Sequence, residues 1–288
     1  MHTQIEEYIR PKNLDEAVAI LRDPNRHAIP VAGATEIGLR VRKSIRTLVD
    51  LADLGLDKVW QDAAGLHLGA MVRAARITDD PAIRQAIGDA LPESAFAIGG
   101  QTIRNMTSLG GNIIHLTYWS DMPIALQALD ASFRVQGTSD RTYSCAEFLA
   151  GQPQKHLNAG DLVTEVIIPP TAAQSGSAFL KHAKTAVDFA LVNTAAYVVL
   201  DGDTVSDVRL SVGAIHTPPI RLPNAEKMAL GSTLDDTVLK NIQEAVRTGV
   251  SPRRDVRASD GYLRHCAGVV VRRALVLAAQ RACGENQS

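Results

Sequence analysis

Two short stretches carry glycine where main-chain N–H groups could be presented to an anion: Pro30 to Gly38, PVAGATEIG, and Ser108 to Asn112, SLGGN. The first reads as a strand running into a tight turn and a helix start, where free N–H groups and the helix dipole favour negative charge. The second sets two glycines side by side ahead of an apolar pair, Ile113 and Ile114. Consecutive N–H groups there could form a concave nest for phosphate oxygens. Neither stretch is Gly-x-x-x-x-Gly-Lys-Ser/Thr or Gly-x-Gly-x-x-Gly, so the nucleotide-binding loops that those spacings mark are not indicated. Each loop taken alone suits a plain tight turn. Two that both suit phosphate point toward a diphosphate-bearing cofactor.

Other chemistries have less to stand on. Cys145, Cys266 and Cys283 lie too far apart for metal or iron–sulfur spacing and are expected as free thiols. The eight histidines form no His-x-x-x-His pair, so zinc catalysis is not indicated. Lys plus Arg number 30 against 31 Asp plus Glu, a formal charge of -1. Nucleic acid and anionic membranes both require clustered positive charge and are not expected as partners. The short basic run Arg40, Arg42, Lys43 and Arg46 reads as a solvated helix face. The start, MHTQIEEYIRPK, shows no apolar segment after a basic one, and no apolar run reaches the 18 or so residues of a membrane helix. A cytoplasmic location is therefore expected.

The elements that must position the loops alternate along the chain. Asn13 followed by Glu16 predicts a capped helix with Leu14, Val18 and Leu21 on one face. Ala28 to Ala32 reads as a strand, followed by a helix carrying Ile37, Val41 and Ile45. Thr47 to Leu51 and Gly65 to Ala70 read as strands, the second alternating Leu66, Leu68 and Ala70. Thr78 to Leu91 predicts one helix with Pro81 near its first turn, and Met122 to Leu129 another. Ser132 to Gln136 and Leu162 to Ile168 are strands again. The stretch PPTAAQSGS, Pro169 to Ser177, lacks periodicity and marks a domain boundary. Beyond it a helix around Val187 to Thr194, a hairpin at Asp201-Gly202, a strand at Val208 to Ile215 and helices over Thr237 to Thr248 and Ser259 to Arg281 predict a sheet with helices on one face.

The chain resembles the FAD-binding subunit of the molybdenum hydroxylase family, the xanthine dehydrogenase and carbon monoxide dehydrogenase flavoproteins. The resemblance rests on VAGATEIGLRVRK, IRNMTSLGGNI and SDMPIALQALDA, then on SAFLKHAKTAVDFALVNTAAYVV and DVRASDGYLRHCAGVVVRRAL, in order and over nearly the whole chain. It implies an α+β fold: a two-lobed FAD-binding domain of the vanillyl-alcohol-oxidase-like type over 1–170, with lobes of about 1–57 and 58–170, and a smaller α+β C-terminal domain over 177–282. It implies non-covalent FAD. The first loop, Pro30, Val31, Ala32, Gly33, Ala34, Thr35, Glu36 and Ile37, would wrap the diphosphate, and Ser108, Leu109, Gly110, Gly111 and Asn112 would meet it from the other side. Asp121 matches an aspartate at the sugar–adenine half, Lys181 a lysine near the FAD, Ile114 an aliphatic residue beside the flavin, and Ile98 a further cofactor contact. By residue type alone, Asp121 also suits a helix N-cap, Lys181 a surface position and Ile114 the core.

Three departures stand out. Ala34 occupies a position where relatives often carry Gly or Asn, and Glu36 one where many carry Asp or Ser. HLTYWSD, His115 to Asp121, replaces a stretch of small residues, so that Tyr118 and Trp119 are expected either to shield the flavin or to fill core or an interface.

The resemblance implies no catalytic acid or base in this chain. It implies an electron-transfer subunit that takes electrons from 2Fe-2S clusters of a small partner, served by a molybdopterin-binding large partner, and passes them to NAD or another acceptor in a heterotrimeric assembly. The alternatives are the flavin subunit of a 4-hydroxybenzoyl-CoA reductase-like enzyme with reversed electron flow, a stand-alone flavin oxidoreductase, and a scaffold that has lost FAD. The first of these relatives often carries a cysteine-bearing insertion, and three scattered cysteines do not supply one.

Overall fold

The computed structural model describes residues 5–37, 44–216, 218–253 and 255–284. Three sheets organise them. Strands β1 (Glu7–Ile9), β2 (Ala28–Val31) and β3 (Thr47–Asp50) form a small parallel sheet in the order β1-β3-β2, with helix Leu14–Arg22 between the first two strands. Asn13 caps that helix by accepting from the Glu16 N–H at 2.9 Å, as its spacing predicts. Pro30 is tolerated because β2 is an edge strand. Most of the predicted helix from Ile37 onward, with Arg40, Val41, Arg42 and Lys43, lies outside the described residues. Arg46 pairs with Glu6.

Strands β4 (Val59–Asp62), β5 (Gly65–Gly69), β6 (Ser132–Gln136), β7 (Arg141–Ser144) and β8 (Leu162–Ile168) form an antiparallel sheet ordered β4-β5-β8-β6-β7. Leu66, Leu68, Phe133, Val135, Val166 and Ile168 bury against the helices between β5 and β6 in the largest core. The predicted helix over Thr78 to Leu91 is three short helices, Ala74–Asp79, Pro81–Ile87 and Ala90–Phe96. Asp80 ends the first and caps the second through the Ala82 N–H, and Gly88 at φ 74 ends the second.

Strand β5 is buried along its whole length, unlike a half-exposed alternating strand. The reason is His67, covered by Trp60 at a ring distance of 4.9 Å and paired with Glu165 and, at 2.8 Å, with Asp62. Burial works to strip the His67 proton, but the hydrogen bonds and charges of Glu165 and Asp62 outweigh it and hold the imidazole protonated above its ordinary range. The stability this contributes is complete below about pH 6.5 and is lost as pH rises through the raised folded value. A melting series is expected to show the advantage of the wild type over His67→Gln shrinking across that window, whereas parallel profiles would exclude the charged pairing.

The C-terminal sheet is antiparallel: β9 (Ser175–His182), β10 (Val192–Asp201), β11 (Thr204–Gly213) and β12 (Ile220–Arg221), in the order β12-β11-β10-β9. Helices Pro223–Ala229, Asp236–Gly249 and Asp260–Ala282 accompany it, and the last two bury Leu239, Ile242, Val271, Ala274 and Leu275 with the sheet. No helix forms at Val187 to Thr194. Residues 183–191 connect β9 to β10, and Val192, Asn193 and Thr194 are fully buried in the central strand, where ladder pairing on both sides overrides helical spacing. Part of the expected boundary loop is likewise strand, since β9 begins at Ser175.

The last helix reaches back to the N-terminal region. Arg281 pairs with Glu93 at 2.6 Å and donates to the Ser177 carbonyl at 2.8 Å, while the second Glu93 oxygen accepts from the Phe179 N–H at 2.8 Å. All three cysteines are free, as their spacing predicts. Among the described residues no helix is long and apolar enough to cross a membrane, and no group of three His, Cys, Asp or Glu could hold a metal ion.

Candidate functional site

The first glycine loop leaves β2 at Val31 and folds onto the end of helix Gln101–Met106. Gly33 sits so close that a Cβ there would lie 1.7 Å from the Met106 carbonyl oxygen. That same oxygen accepts from the Arg73 guanidinium at 2.6 Å, so the place is fixed from both sides. Ala34 has φ 54, a left-handed conformation that costs an alanine about 1–2 kcal/mol and explains why Gly or Asn suits the position. Among the described residues the N–H groups of Gly33, Ala34 and Thr35 have no hydrogen-bond acceptor. Three consecutive free donors on a pinned turn are available to an anionic ligand, as a diphosphate loop requires. Pro30 and Ala34 are exposed, Val31 is buried, and Ala32, Thr35, Glu36 and Ile37 are half-buried.

The second loop is not a nest. Residues Leu109–Ile114 form a helix capped by Ser108, whose hydroxyl accepts from the Gly111 N–H at 3.2 Å. The Leu109 N–H donates to Val72 O at 2.9 Å and the Gly110 N–H to Ala70 O at 2.8 Å. Gly110 is required by packing, because its Cβ would lie 2.7 Å from that of Ala70. The approach that makes this glycine necessary is thus the protein's own β5–helix connection. Gly111 is exposed at the helix start, and Asn112 beside it keeps a buried Oδ1 with no partner among the described residues. His115 Nε2 lies 3.1 Å from Glu36 Oε1, joining the two loops.

A second cluster gathers Asp121, Lys181 and Ile98. Asp121 is neither an exposed residue nor a side-chain cap of helix Met122–Ala128. Its carboxylate accepts from Asn193 Nδ2 at 2.8 Å and from Lys181 Nζ at 3.1 Å. Burial pushes the Asp121 carboxyl up to about 6, although Lys181 and Asn193 both favour its charged form. Lys181 is equally far from a surface lysine: its ammonium also donates to Ala97 O at 2.9 Å. Arg104 holds the next turn through the carbonyls of Phe96 at 3.2 Å and Gly99 at 2.9 Å, which places Ile98 between two cationic anchors. Ile114 packs against the main core, and its carbonyl accepts from Gln154 at 3.1 Å.

Reading the sequence missed Arg73, Arg104, Asn193 and Gln154. Arg104 and Asn193 stand inside stretches that carry the resemblance, but the burial of Arg104 and the pairings of all four residues are created only by the fold. Arg73 also lines a cavity of about 160 Å³ with Ala52, Asp57, Met71, Val72 and Arg76, too small for a dinucleotide. The free donors of the first loop suit an anionic group, while the unpartnered Asn112 oxygen calls for a donor such as a hydroxyl or N–H, and FAD carries both.

Comparison with known proteins agrees. The family described as the FAD binding domain in molybdopterin dehydrogenase matches residues 3–171, and the CO dehydrogenase flavoprotein C-terminal domain matches 177–278. The chain is 28% identical over 272 residues to the glyceraldehyde dehydrogenase medium chain of Sulfolobus acidocaldarius, covering 93% of this chain and 96% of that one. It is 26% identical over 281 residues to the carbon monoxide dehydrogenase medium chain of Afipia carboxidovorans, covering 96% and 97%. Among solved structures it resembles Cu,Mo-CO dehydrogenase in its cyanide-inactivated form, with a TM-score of 0.90, 25% identity and coverage of 98% and 100%. It also resembles quinoline 2-oxidoreductase from Pseudomonas putida 86, with a TM-score of 0.90, 27% identity and coverage of 98% and 99%.

Proposed function

Because the chain belongs to the family of FAD-binding domains of molybdopterin dehydrogenases, we propose that it works as the electron-transfer subunit of a cytoplasmic heterotrimer, beside a molybdopterin-binding large subunit and a 2Fe-2S small subunit. The observation that carries the reading is the pinned first loop with its three free N–H groups. Bound FAD would supply the two-electron redox chemistry, accepting electrons singly from iron–sulfur clusters and passing them to NAD or another soluble acceptor.

The chain's own residues bind and orient. Ala32 to Ile37 hold the diphosphate by main-chain donors, and Ser108 and Asn112 bound it opposite. Ile98 and Ile114 give apolar contact to the rings, and Asp121, fixed by Asn193, meets the sugar. Lys181 keeps a positive charge at the site. No side chain acts as acid or base on a substrate, since the substrate is oxidised in the large subunit. In this reading residues 1–170 are the FAD-binding domain and 177–282 the C-terminal domain.

The test is an absorption spectrum of the chain purified alone, with release and identification of any yellow cofactor. FAD at about one per chain, released without covalent attachment, is expected. A colourless protein that takes up no added FAD would overturn the reading.

A further inference from the structure

Helix Gln101–Met106 stands between the first loop and the Asp121 cluster and is tied to both. At its C-terminal end Arg73 holds the Met106 carbonyl, on which Gly33 lies, and the Thr107 carbonyl accepts from the Ala74 N–H at 2.9 Å. At its N-terminal end is the turn 97–100, where the Ala97 carbonyl accepts from the same Lys181 ammonium that pairs with Asp121. The helix has 6 residues, a strut of about 9 Å. The spacing of the two halves of the site therefore depends on how firmly the strut is fastened to the turn.

Arg104, in the middle of the strut, is the fastening. Its guanidinium reaches back to the carbonyls of Phe96 at 3.2 Å, Ile98 at 3.4 Å and Gly99 at 2.9 Å, and donates to Gln101 Oε1 at 2.8 Å. With Lys181 on Ala97, every carbonyl from Phe96 to Gly99 accepts from one of two cations. The guanidinium carbon also lies 4.8 Å from the Phe96 ring centre. Arg104 is only 9% exposed, yet among the described residues its bonds go to no carboxylate and its Nε has no partner. Burying a cation without a counter-charge is unfavourable. A cap for the last carbonyls of helix Ala90–Phe96 needs no burial, because an exposed arginine serves as well. What the buried place adds is geometry: the planar fork spans carbonyls three residues apart and locks one helix against the end of the other.

We propose that Arg104 is a positioning residue, which sets the distance between the first loop and the Asp121 cluster so that both meet one ligand without rearrangement. This deepens the cofactor reading given above and rests on it. Arg104 acts through the turn and the strut. Without the fork the turn takes other shapes, only a fraction of the molecules presents both halves of the site together, and the apparent affinity for FAD falls by that fraction.

The test uses the full chain. Wild type, Arg104→Met, Arg104→Lys, Arg73→Met and the double variant Arg73→Met with Arg104→Met are compared for urea midpoint without FAD and for FAD Kd by fluorescence titration. Arg104→Met is expected to raise the Kd about tenfold or more, at the urea midpoint of the wild type, because the bonds lost and the charge burial relieved offset one another. Arg104→Lys is expected to bind FAD as weakly as Arg104→Met, since an ammonium does not span the carbonyls that the fork spans. The double variant is expected to lose less affinity than the product of the two single losses, because both changes release the same strut. A helix cap and nothing more would lower the urea midpoint of Arg104→Met and leave its Kd alone, and that result would overturn the proposal. Full affinity in Arg104→Lys, or losses that simply multiply in the double variant, would overturn it as well. Should Arg104→Met not fold, Arg104→Lys keeps the charge and decides by its Kd. A wild-type chain that takes up no added FAD would overturn the cofactor reading itself, and that shows in the spectrum before any variant is made.

Discussion

Gly33→Ala is expected to abolish tight FAD binding while leaving the protein folded. The new Cβ would lie 1.7 Å from Met106 O, a backbone atom that is itself held by Arg73 at 2.6 Å, so the loop must lift from the helix end. Lifting displaces the free N–H groups of Gly33, Ala34 and Thr35 together. Hydrogen bonds to a charged partner are worth about 1.5–3 kcal/mol each. Losing a single one weakens the Kd roughly 10- to 150-fold, and a shifted turn loses more than one. Fluorescence titration of the apoprotein with FAD measures the effect, with circular dichroism as the check on folding. Gly100→Ala is the control, because a Cβ there meets nothing within 4 Å. A Gly33→Ala protein with the affinity of the wild type would remove the first loop from the cofactor site.

Asp121→Ala is expected to destabilise the apoprotein by about 3–5 kcal/mol, the cost of stranding a buried partner charge. The stranded group is the Lys181 ammonium, whose side chain is only 11% exposed. Asp121→Ala combined with Lys181→Met leaves no such charge and should be the more stable of the two proteins by urea denaturation. If both lose the same amount, or the single change costs nothing without FAD, the pair is no structural tie and Asp121 acts on the cofactor alone. The pH dependence has a defined sign. The carboxyl is raised from 3.8 to about 6 on folding, so between those values the folded state binds more proton than the unfolded one. Its share of stability therefore falls as pH rises through that window and is flat above it. Asp121→Asn should remove that slope.

How much of this was legible in the sequence depended on where each residue's partners lay. Asn13, Asp235 and Ser259 cap the helices that follow them through bonds two or three residues away, and those helices begin where the residue types indicate. The first loop was equally readable, because strand, glycine and turn follow one another within nine residues. The SLGGN segment was misread as a loop because its glycines signal open backbone. They serve instead to bring a short helix against Ala70. Val187 to Thr194 misled in the opposite sense: its apolar spacing suits a helix, but pairing with strands on both sides decides the matter. The pairings of Lys181 with Ala97 and of Asn193 with Asp121 span 84 and 72 residues. No local pattern encodes such a distance, and only the resemblance brought Asp121 and Lys181 into one site.

The contact of Arg281 with Glu93 also sets a timetable for biosynthesis. β9 and β10, which supply Lys181 and Asn193, are covered by the helix Asp260–Ala282, whose last turn carries the arginine that fastens this sheet to the N-terminal region. A ribosome releases the two glycine loops early, but the wall that grips Asp121 has no cover until nearly the whole chain is made. The N-terminal region can condense first, yet the side of Asp121 that Lys181 and Asn193 close stays open until then. On the proposed function, FAD is then expected to bind firmly only to the finished polypeptide, and a chain ending before Asp260 is expected to take up less FAD in titration than the full chain.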